Sequence, residues 1–486
     1  MKRAAMRIAT EQFAELARTG AEKARGRPSL KMVPDLLYRL REAGLSSFPD
    51  IPAAQAYGAA IRSEALTRLP ELLEEFEKKA TANGATVFWA RTAEEANEYI
   101  VKLAKERGAT YVIKGKSMVT EEMGLNEALS KHGIEPWEAD LGEFIIQQMH
   151  CTPFHIIGPA LNIPVEEIRD LFLAKADMKK PTLDPVELGW AARLFLREKF
   201  HRAQFGVTGV NMAVAETGTL INLENEGNIR FAKASPRTQV SVMTLEKVVP
   251  TMKDAMHLMR LLSRNCSGQR ISAYVSMDSG PRKAGEMDGP EELFIVILDN
   301  GRSRIYRDPR ARDALRCIRC AACLNSCPVY RQIGGHAYGW VYSGPIGQVL
   351  MPLLLGLDKT QDLYRACTLC GACKGVCPVG IDHPDLLLYY RSMDVSADVA
   401  ARSLFRGKKR PWREAGFFKA WGMAVKYRWL WNLGISLTRS FVNRNFREGV
   451  IRDRKGAFGG WFRSRDLPLM AEKTFQEKWE EIKKIH

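Results

Sequence analysis

No run of 18 uncharged apolar residues occurs in this 486-residue chain, so no segment reads as a membrane-spanning helix. The N-terminal stretch MKRAAMRIATEQFAELARTGAEKARG is basic but has no apolar core of the kind a secretory signal carries. A cytoplasmic protein is therefore expected, with peripheral contact at the inner face of the cell membrane as the further expectation. The sequence also lacks G-x-G-x-x-G, which leaves a Rossmann-type nicotinamide or flavin site without support. IKGKSMVT (113–120) contains Gly115-Lys116-Ser117, but a phosphate loop needs a second glycine at position 110, where Thr110 stands. Acidic residues are under-represented: 56 Asp and Glu against 72 Lys and Arg leave a net charge of +16. That balance suits nucleic acid, an anionic membrane or an acidic protein partner, and does not choose among them. Cysteine is nearly absent outside one region, where only Cys151 and Cys266 stand alone, each read as a small packed residue.

The other eight cysteines form two runs of the same pattern, C-x2-C-x2-C-x3-C-P. Cys317, Cys320, Cys323 and Cys327 precede Pro328, and Cys367, Cys370, Cys373 and Cys377 precede Pro378. Such clustering in an intracellular chain points to metal rather than disulfides. Zinc sites usually join two C-x2-C pairs across a longer loop; here four thiols crowd into one short run, twice. In two-cluster ferredoxins a run of this form wraps three cysteines around one [4Fe–4S] cluster and sends the fourth to the other. That pattern assigns Cys317, Cys320, Cys323 and Cys377 to one cluster, and Cys367, Cys370, Cys373 and Cys327 to a second. Two clusters with their thiolates lower the effective charge by about four, so the chain stays basic. Arg316, Arg319, Arg365 and Lys374 flank the ligands, where positive charge would raise a cluster's potential or simply balance charge.

With 46% hydrophobic and 26% charged residues, the chain has apolar material for several cores. Residues 1–80 read as helices, ALTRLPELLEEFEKKA among them. TVFWA (86–90) reads as a strand, and Thr92 with Glu95 as a capping box for a helix closed by Gly108. TYVIKG reads as a strand and EEMGLNEALSKHG as a helix, so the rhythm predicts an α/β layer with a partly parallel sheet. PVELGWAARLFLREKF is a further helix and residues 206–250 are strand-rich. Asn300-Gly301, between apolar runs, signals a hairpin. The α/β domain with its helical extension is thus placed at 1–306 and the cysteine region, with the helix GPIGQVLMPLLLG, at 307–400. A third region spans 401–486. Between Ala401 and Arg465 it carries seventeen Lys and Arg against three Asp and Glu, with Trp412, Trp421, Trp429, Trp431 and Trp461 interleaved. Phe417, Trp421, Val425, Trp429, Leu433, Leu437 and Phe441 recur every four residues, as on one face of a helix.

Three further groups carry residue types capable of chemistry. Glu216, in the Gly-rich GVTGVNMAVAETGTL, could serve acyl or CoA transfer, although a turn carboxylate that accepts hydrogen bonds is favoured. His150, Cys151 and His155 resemble a ligand set without a fourth member. The basic, aromatic C-terminal region offers phosphate neutralisation and stacking, but is read as a docking surface and not a nucleic-acid site.

The chain as a whole resembles the iron–sulfur B subunit family of the bacterial lactate-utilisation system. The resemblance is carried by KGKSMVTEEMGLNEAL (114–129), EADLGEFIIQ (138–147), GVTGVNMAVAETGTL, the runs CIRCAACLNSCPVY and CTLCGACKGVCPVGIDHP, and their order along the chain. It implies an α/β LUD domain with a fold similar to the NagB/RpiA/CoA-transferase group. An α-helical ferredoxin domain with two [4Fe–4S] clusters then precedes the basic Trp-rich region. It also implies an electron-transfer subunit of an L-lactate-oxidising complex with two partners, a CCG-domain subunit similar to heterodisulfide reductase and a small LUD-domain subunit. No catalytic residue is assigned to this chain.

Overall fold

The computed structural model describes residues 8–26, 29–176, 178–395, 412–445, 450–451 and 466–484. The chain forms two compact units, Met1–Lys408 and Lys409–His486.

The first unit opens with the helices Phe13–Gly26, Ser29–Leu45, Ile51–Thr67 and Leu69–Ala82. The helix expected over ALTRLPELLEEFEKKA is divided at Arg68. Pro70 lacks an amide hydrogen and so starts the second helix instead of continuing the first. Ten strands are then described in this unit: β1 (Thr86–Ala90), β2 (Tyr111–Lys114), β3 (Glu135–Glu138), β4 (Phe205–Gly209), β5 (Met212–Val214), β6 (Thr219–Glu224), β7 (Thr238–Thr244), β8 (Val248–Val249), β9 (Tyr274–Asp278) and β10 (Glu292–Leu298).

Six of them form a sheet in the order β1-β10-β7-β4-β2-β3, and every neighbouring pair is parallel. Its central strands β4 and β7 are buried at every residue, as a parallel sheet covered on both faces requires. A smaller mixed sheet, β8-β5-β6-β9, packs beside it. The helix Ala93–Glu106 starts as expected, with Thr92 Oγ1 accepting from the Glu95 amide. Glu95 reaches back to the Arg91 amide rather than to Thr92.

Two expectations are corrected. EEMGLNEALSKHG is two short helices, Met118–Glu122 and Leu125–Lys131, because Gly124 takes φ of 67° between them. Asn300-Gly301 does not close a hairpin. Both residues have positive φ, but β10 leads into the helix Arg302–Arg307, whose Arg302 is buried against Glu122.

Helices Ala322–Ser326, Pro328–Ile333, Gly344–Leu355, Ala372–Val376 and His383–Val395 build the cysteine-bearing part. Gly344–Leu355 is buried from Gly344 through Leu353, which explains why its sequence is apolar on all sides.

In the second unit, the amphipathic segment from Phe417 to Phe441 is not one helix but two, Trp412–Lys426 and Arg428–Asn445. They fold back so that Trp421 and Trp431 meet edge to face, 5.4 Å between centroids. None of the residues of Trp412–Lys426 is buried. Helix Phe475–Lys483 begins at a Thr474/Glu477 capping box. Trp461 and parts of the basic stretch lie outside the described residues. No helix among the described residues is long and apolar enough to cross a membrane.

Candidate metal centre

The two cysteine runs adopt the same backbone conformation. Two residues past the first cysteine, Arg319 and Leu369 have φ of 64° and 56°, and one residue past the second, Ala321 and Gly371 have φ of 61° and 80°. A left-handed L residue costs about 1–2 kcal/mol, so three of these four positions are held against local preference. The conformation turns amides onto sulfur. The Arg319 N–H donates to Cys317 Sγ at 3.4 Å and the Leu369 N–H to Cys367 Sγ at 3.3 Å. The last cysteine of each run also accepts, Cys327 from the Tyr330 amide at 3.5 Å and Cys377 from the Ile381 amide at 3.3 Å. Amide donors of this kind favour thiolate over thiol and tune an iron–sulfur centre.

Across the runs, the short helices Ala322–Ser326 and Ala372–Val376 pack against each other. Cys377 lines one small cavity with Cys317, Cys320 and Cys323. The thiol neighbours that act on Cys327 are Cys367 and Cys370, and Cys373 is acted on by Cys367, Cys327 and Cys370. Cys323 senses Cys373 as well as its own group, so the two sets are adjacent. Burial, then the neighbouring thiols, push Cys373 up to about 12. Burial likewise carries Cys377 to about 11 and raises Cys320 and Cys323 further. Thiols held so high keep their protons until metal displaces them.

The donor set fits polynuclear iron better than zinc. Zn–S bonds of about 2.3 Å crowd four sulfurs around a single ion. Among the described residues, however, no three cysteines bring their Sγ atoms within 4.8 Å of one another. The flanking cations are each matched by a carboxylate: Arg316 to Asp313 at 2.8 Å, Arg319 to Glu246 at 3.2 Å, Arg365 to Asp394 at 2.5 Å and Lys374 to Asp382 at 2.6 Å. Charge balance is therefore their visible role.

Glu216 and the group His150, Cys151 and His155 do not assemble into a site. Glu216 sits in the turn between β5 and β6 and accepts the Met252 amide at 3.0 Å. His155 is buried against Asn325 Oδ1 at 3.2 Å, and burial lowers it to about 4. His150 is exposed, and half-buried Cys151 contacts the Met149 carbonyl at 3.6 Å. One feature escaped sequence reasoning: a cavity of about 270 Å³ at the C-terminal ends of β2, β4 and β7, lined by Lys116, Asn222, Glu226, Lys247, Arg319 and Tyr342 among others. Its residues are scattered over the chain, and only the position at the strand ends would have marked it.

Residues 73–298 match the LUD domain and residues 313–381 match a 4Fe–4S dicluster domain. The chain is thus a LUD-domain iron–sulfur protein, and it carries two [4Fe–4S] clusters. It belongs to the lactate utilization protein B family. It is 40% identical over 474 residues to lactate utilization protein B of Anoxybacillus flavithermus, covering 97% of this chain and 98% of the relative. With the Macrococcus caseolyticus protein of that name it shares 40% over 480 residues, 97% of each chain. With the one from Geobacillus kaustophilus it shares 42% over 418 residues, 86% of each. The resemblance read from the sequence is borne out.

Proposed function

We propose that this chain is the iron–sulfur electron-transfer subunit of an L-lactate-oxidising complex. The observation that carries the reading is the pair of left-handed cysteine loops, each with amides donating to the first and last sulfurs of its run. Relatives of nearly equal length, named lactate utilization protein B, supply the metabolic context. When bound, the clusters supply one-electron storage. The chain's own residues hold the thiolates, donate amide hydrogen bonds to them and keep water away. Cys320, Cys323, Cys327 and Cys373 are buried, while Cys370 is exposed, which gives the second set a face toward solvent or a partner.

In this reading Cys317, Cys320, Cys323 and Cys377 hold one cluster, and Cys367, Cys370, Cys373 and Cys327 hold the other. The small cavity that Cys377 shares with Cys317, Cys320 and Cys323 supports it. The parts are an α/β domain at 1–306, related in fold to the NagB/RpiA/CoA-transferase group, a ferredoxin domain at 307–400 and a docking region at 401–486. The all-parallel six-stranded sheet supports the first. The partners are a CCG-domain subunit and a small LUD-domain subunit, on the cytoplasmic side and with peripheral membrane contact in reach of the basic tail. Anaerobic purification of the native complex, with subunit identification and iron analysis, tests the reading. About eight irons on this chain and co-purification with lactate-oxidising activity are expected. A complex without lactate-dependent reduction of these clusters overturns it.

A further inference from the structure

The cavity at the ends of β2, β4 and β7 shares a wall with the first cysteine run. Arg319, between Cys317 and Cys320, lines it together with Tyr342. Ligands of open α/β sheets bind outside the carboxyl ends of parallel strands, where the following loops diverge. This cavity occupies that position and carries polar groups that the protein leaves unsatisfied.

Lys247 follows β7 on the turn Leu245–Lys247 and is half-buried. Among the described residues it has no hydrogen bond or ion pair. Burial, and next the Arg319 charge, lower its ammonium to about 8. Arg319 itself is 9% exposed; its Nη2 binds Glu246 at 3.2 Å while its Nη1 is buried without a partner. Asn222, 2% exposed, donates its amide to the Gly209 carbonyl at 2.9 Å and leaves Oδ1 without a donor. A buried polar group without a partner is a costly arrangement that a ligand relieves.

The lining carries the cations Lys247 and Arg319 and the carboxyl group of Glu226. The Arg319, Glu246 and Cys317 charges all act on Lys247. Glu226 is acted on by Asp140, Lys116 and Glu224, and accepts the Leu141 amide at 3.3 Å. Burial and then Asp140 raise the Glu226 carboxyl above its ordinary range. Two cations and a carboxyl group around about 270 Å³, a space below that of drug-sized ligand sites, suit a small molecule with an anionic group and a second oxygen close by.

We propose that this cavity binds a small 2-hydroxy or 2-keto carboxylate, with its carboxylate on Lys247 and Arg319 and its second oxygen toward Glu226. The choice of acid class rests on the lactate-utilisation reading above. The site itself rests on the unsatisfied groups.

The test is isothermal titration of the full chain, clusters loaded, with L-lactate, pyruvate, acetate and inorganic phosphate. Saturable binding of L-lactate or pyruvate is expected, with acetate at least fivefold weaker and phosphate weaker still. Lys247→Met should weaken the better acid at least tenfold, and Lys247→Arg should restore most of the affinity. A second readout is the electron paramagnetic resonance signal of the dithionite-reduced protein. Arg319 both lines the cavity and donates its amide to Cys317, so the acid should shift the signal in the wild type and not in Lys247→Met. Unchanged binding in Lys247→Met, or tighter binding of phosphate than of either acid, overturns the proposal. Full iron content without any binding also overturns it and leaves the electron-transfer reading standing. Binding by a chain that loads no iron keeps the site and overturns that reading instead.

Discussion

The Tyr342 hydroxyl donates a 2.6 Å hydrogen bond to the Glu122 carboxylate, tying the loop before helix Gly344–Leu355 to the short helix Met118–Glu122 beside the parallel sheet. Glu122 also accepts both Arg302 amino groups, at 2.5 and 2.6 Å, and the Asn300 side-chain amide at 2.6 Å. Burial opposes its charge, but the Arg302 charge and these donors outweigh burial and hold the carboxyl below its ordinary range. Removing one partner of a buried pair strands the other, at a cost of about 3–5 kcal/mol. Glu122→Ala is expected to lose that much stability in denaturant titrations, and Glu122→Gln distinctly less because it still accepts from Tyr342. An alanine variant that unfolds at the wild-type midpoint would show that the contact does not couple the two parts.

Crossed ligation, as proposed above, would make a local substitution act at a distance in sequence. Cys327→Ser should disturb the cluster on Cys367, Cys370 and Cys373 before the one on its own run, lowering iron from about eight toward about four per chain. Paramagnetic resonance of the reduced protein, with Cys377→Ser as the reciprocal variant, separates the two signals. If each serine variant disturbs only the cluster of its own run, the assignment fails.

The purified chain alone is expected to accept electrons from dithionite and return them to an artificial acceptor, yet not to convert lactate. Its sequence carries no G-x-G-x-x-G run, and Glu216 accepts the Met252 amide. Sustained pyruvate formation by the flavin-free single chain would reveal an active site in the α/β domain.

His155 gives a pH dependence with a definite sign. Its Nδ1 accepts the Ile157 amide at 3.2 Å and its Nε2 faces Asn325 Oδ1 at 3.2 Å, which fixes a neutral ring. Burial lowers it to about 4, whereas an unfolded histidine titrates near 6.5. Between those values the unfolded chain binds a proton that the folded chain refuses. Stability from this group is full above pH 6.5 and falls as pH drops toward 4, by up to about 1.4 kcal/mol per unit. His155→Gln should lose less stability than the wild type between pH 7 and pH 4.5 in matched urea titrations; equal losses would remove His155 as the cause.

Legibility followed how local each feature is. β1, helix Ala93–Glu106 and β2 could be read because periodicity, Thr92 and Gly108 lie within the elements they define. The eight cysteines could be read because the ligand spacing is a property of one short loop. What the sequence did not disclose depends on partners far along the chain. Asn300-Gly301 turns into a helix because Arg302 is buried against Glu122, 180 positions away. The cavity gathers Lys116 and Lys247 from just past β2 and β7, Asn222 from β6 of the smaller sheet and Arg319 from the first cysteine loop, which meet only in the folded chain. Between Phe417 and Phe441 no proline marks the break at Tyr427, so the four-residue apolar period read as one helix.

The second unit sets the last prediction. Its helices Trp412–Lys426 and Arg428–Asn445 expose Trp412, Phe417, Trp429, Leu437 and Phe441, Trp412 at 79%. Large exposed apolar side chains gathered on two neighbouring helices are the kind of surface that protein interaction uses. Trp and Arg also dominate the energetics of protein interfaces, and both are concentrated here. The surface is basic, so an acidic face on a partner subunit is the expected complement, with an anionic bilayer as the alternative. Neither role requires iron. Removing residues 409–486 should therefore leave iron content and the visible cluster spectrum largely intact while weakening assembly with the partner subunits, measured by size exclusion of the co-expressed complex. Retained assembly with lost sedimentation on anionic vesicles would move the role to the membrane. A truncated chain that assembles fully, ignores vesicles and supports growth on lactate would show that the display is packing material, and the docking reading would be wrong.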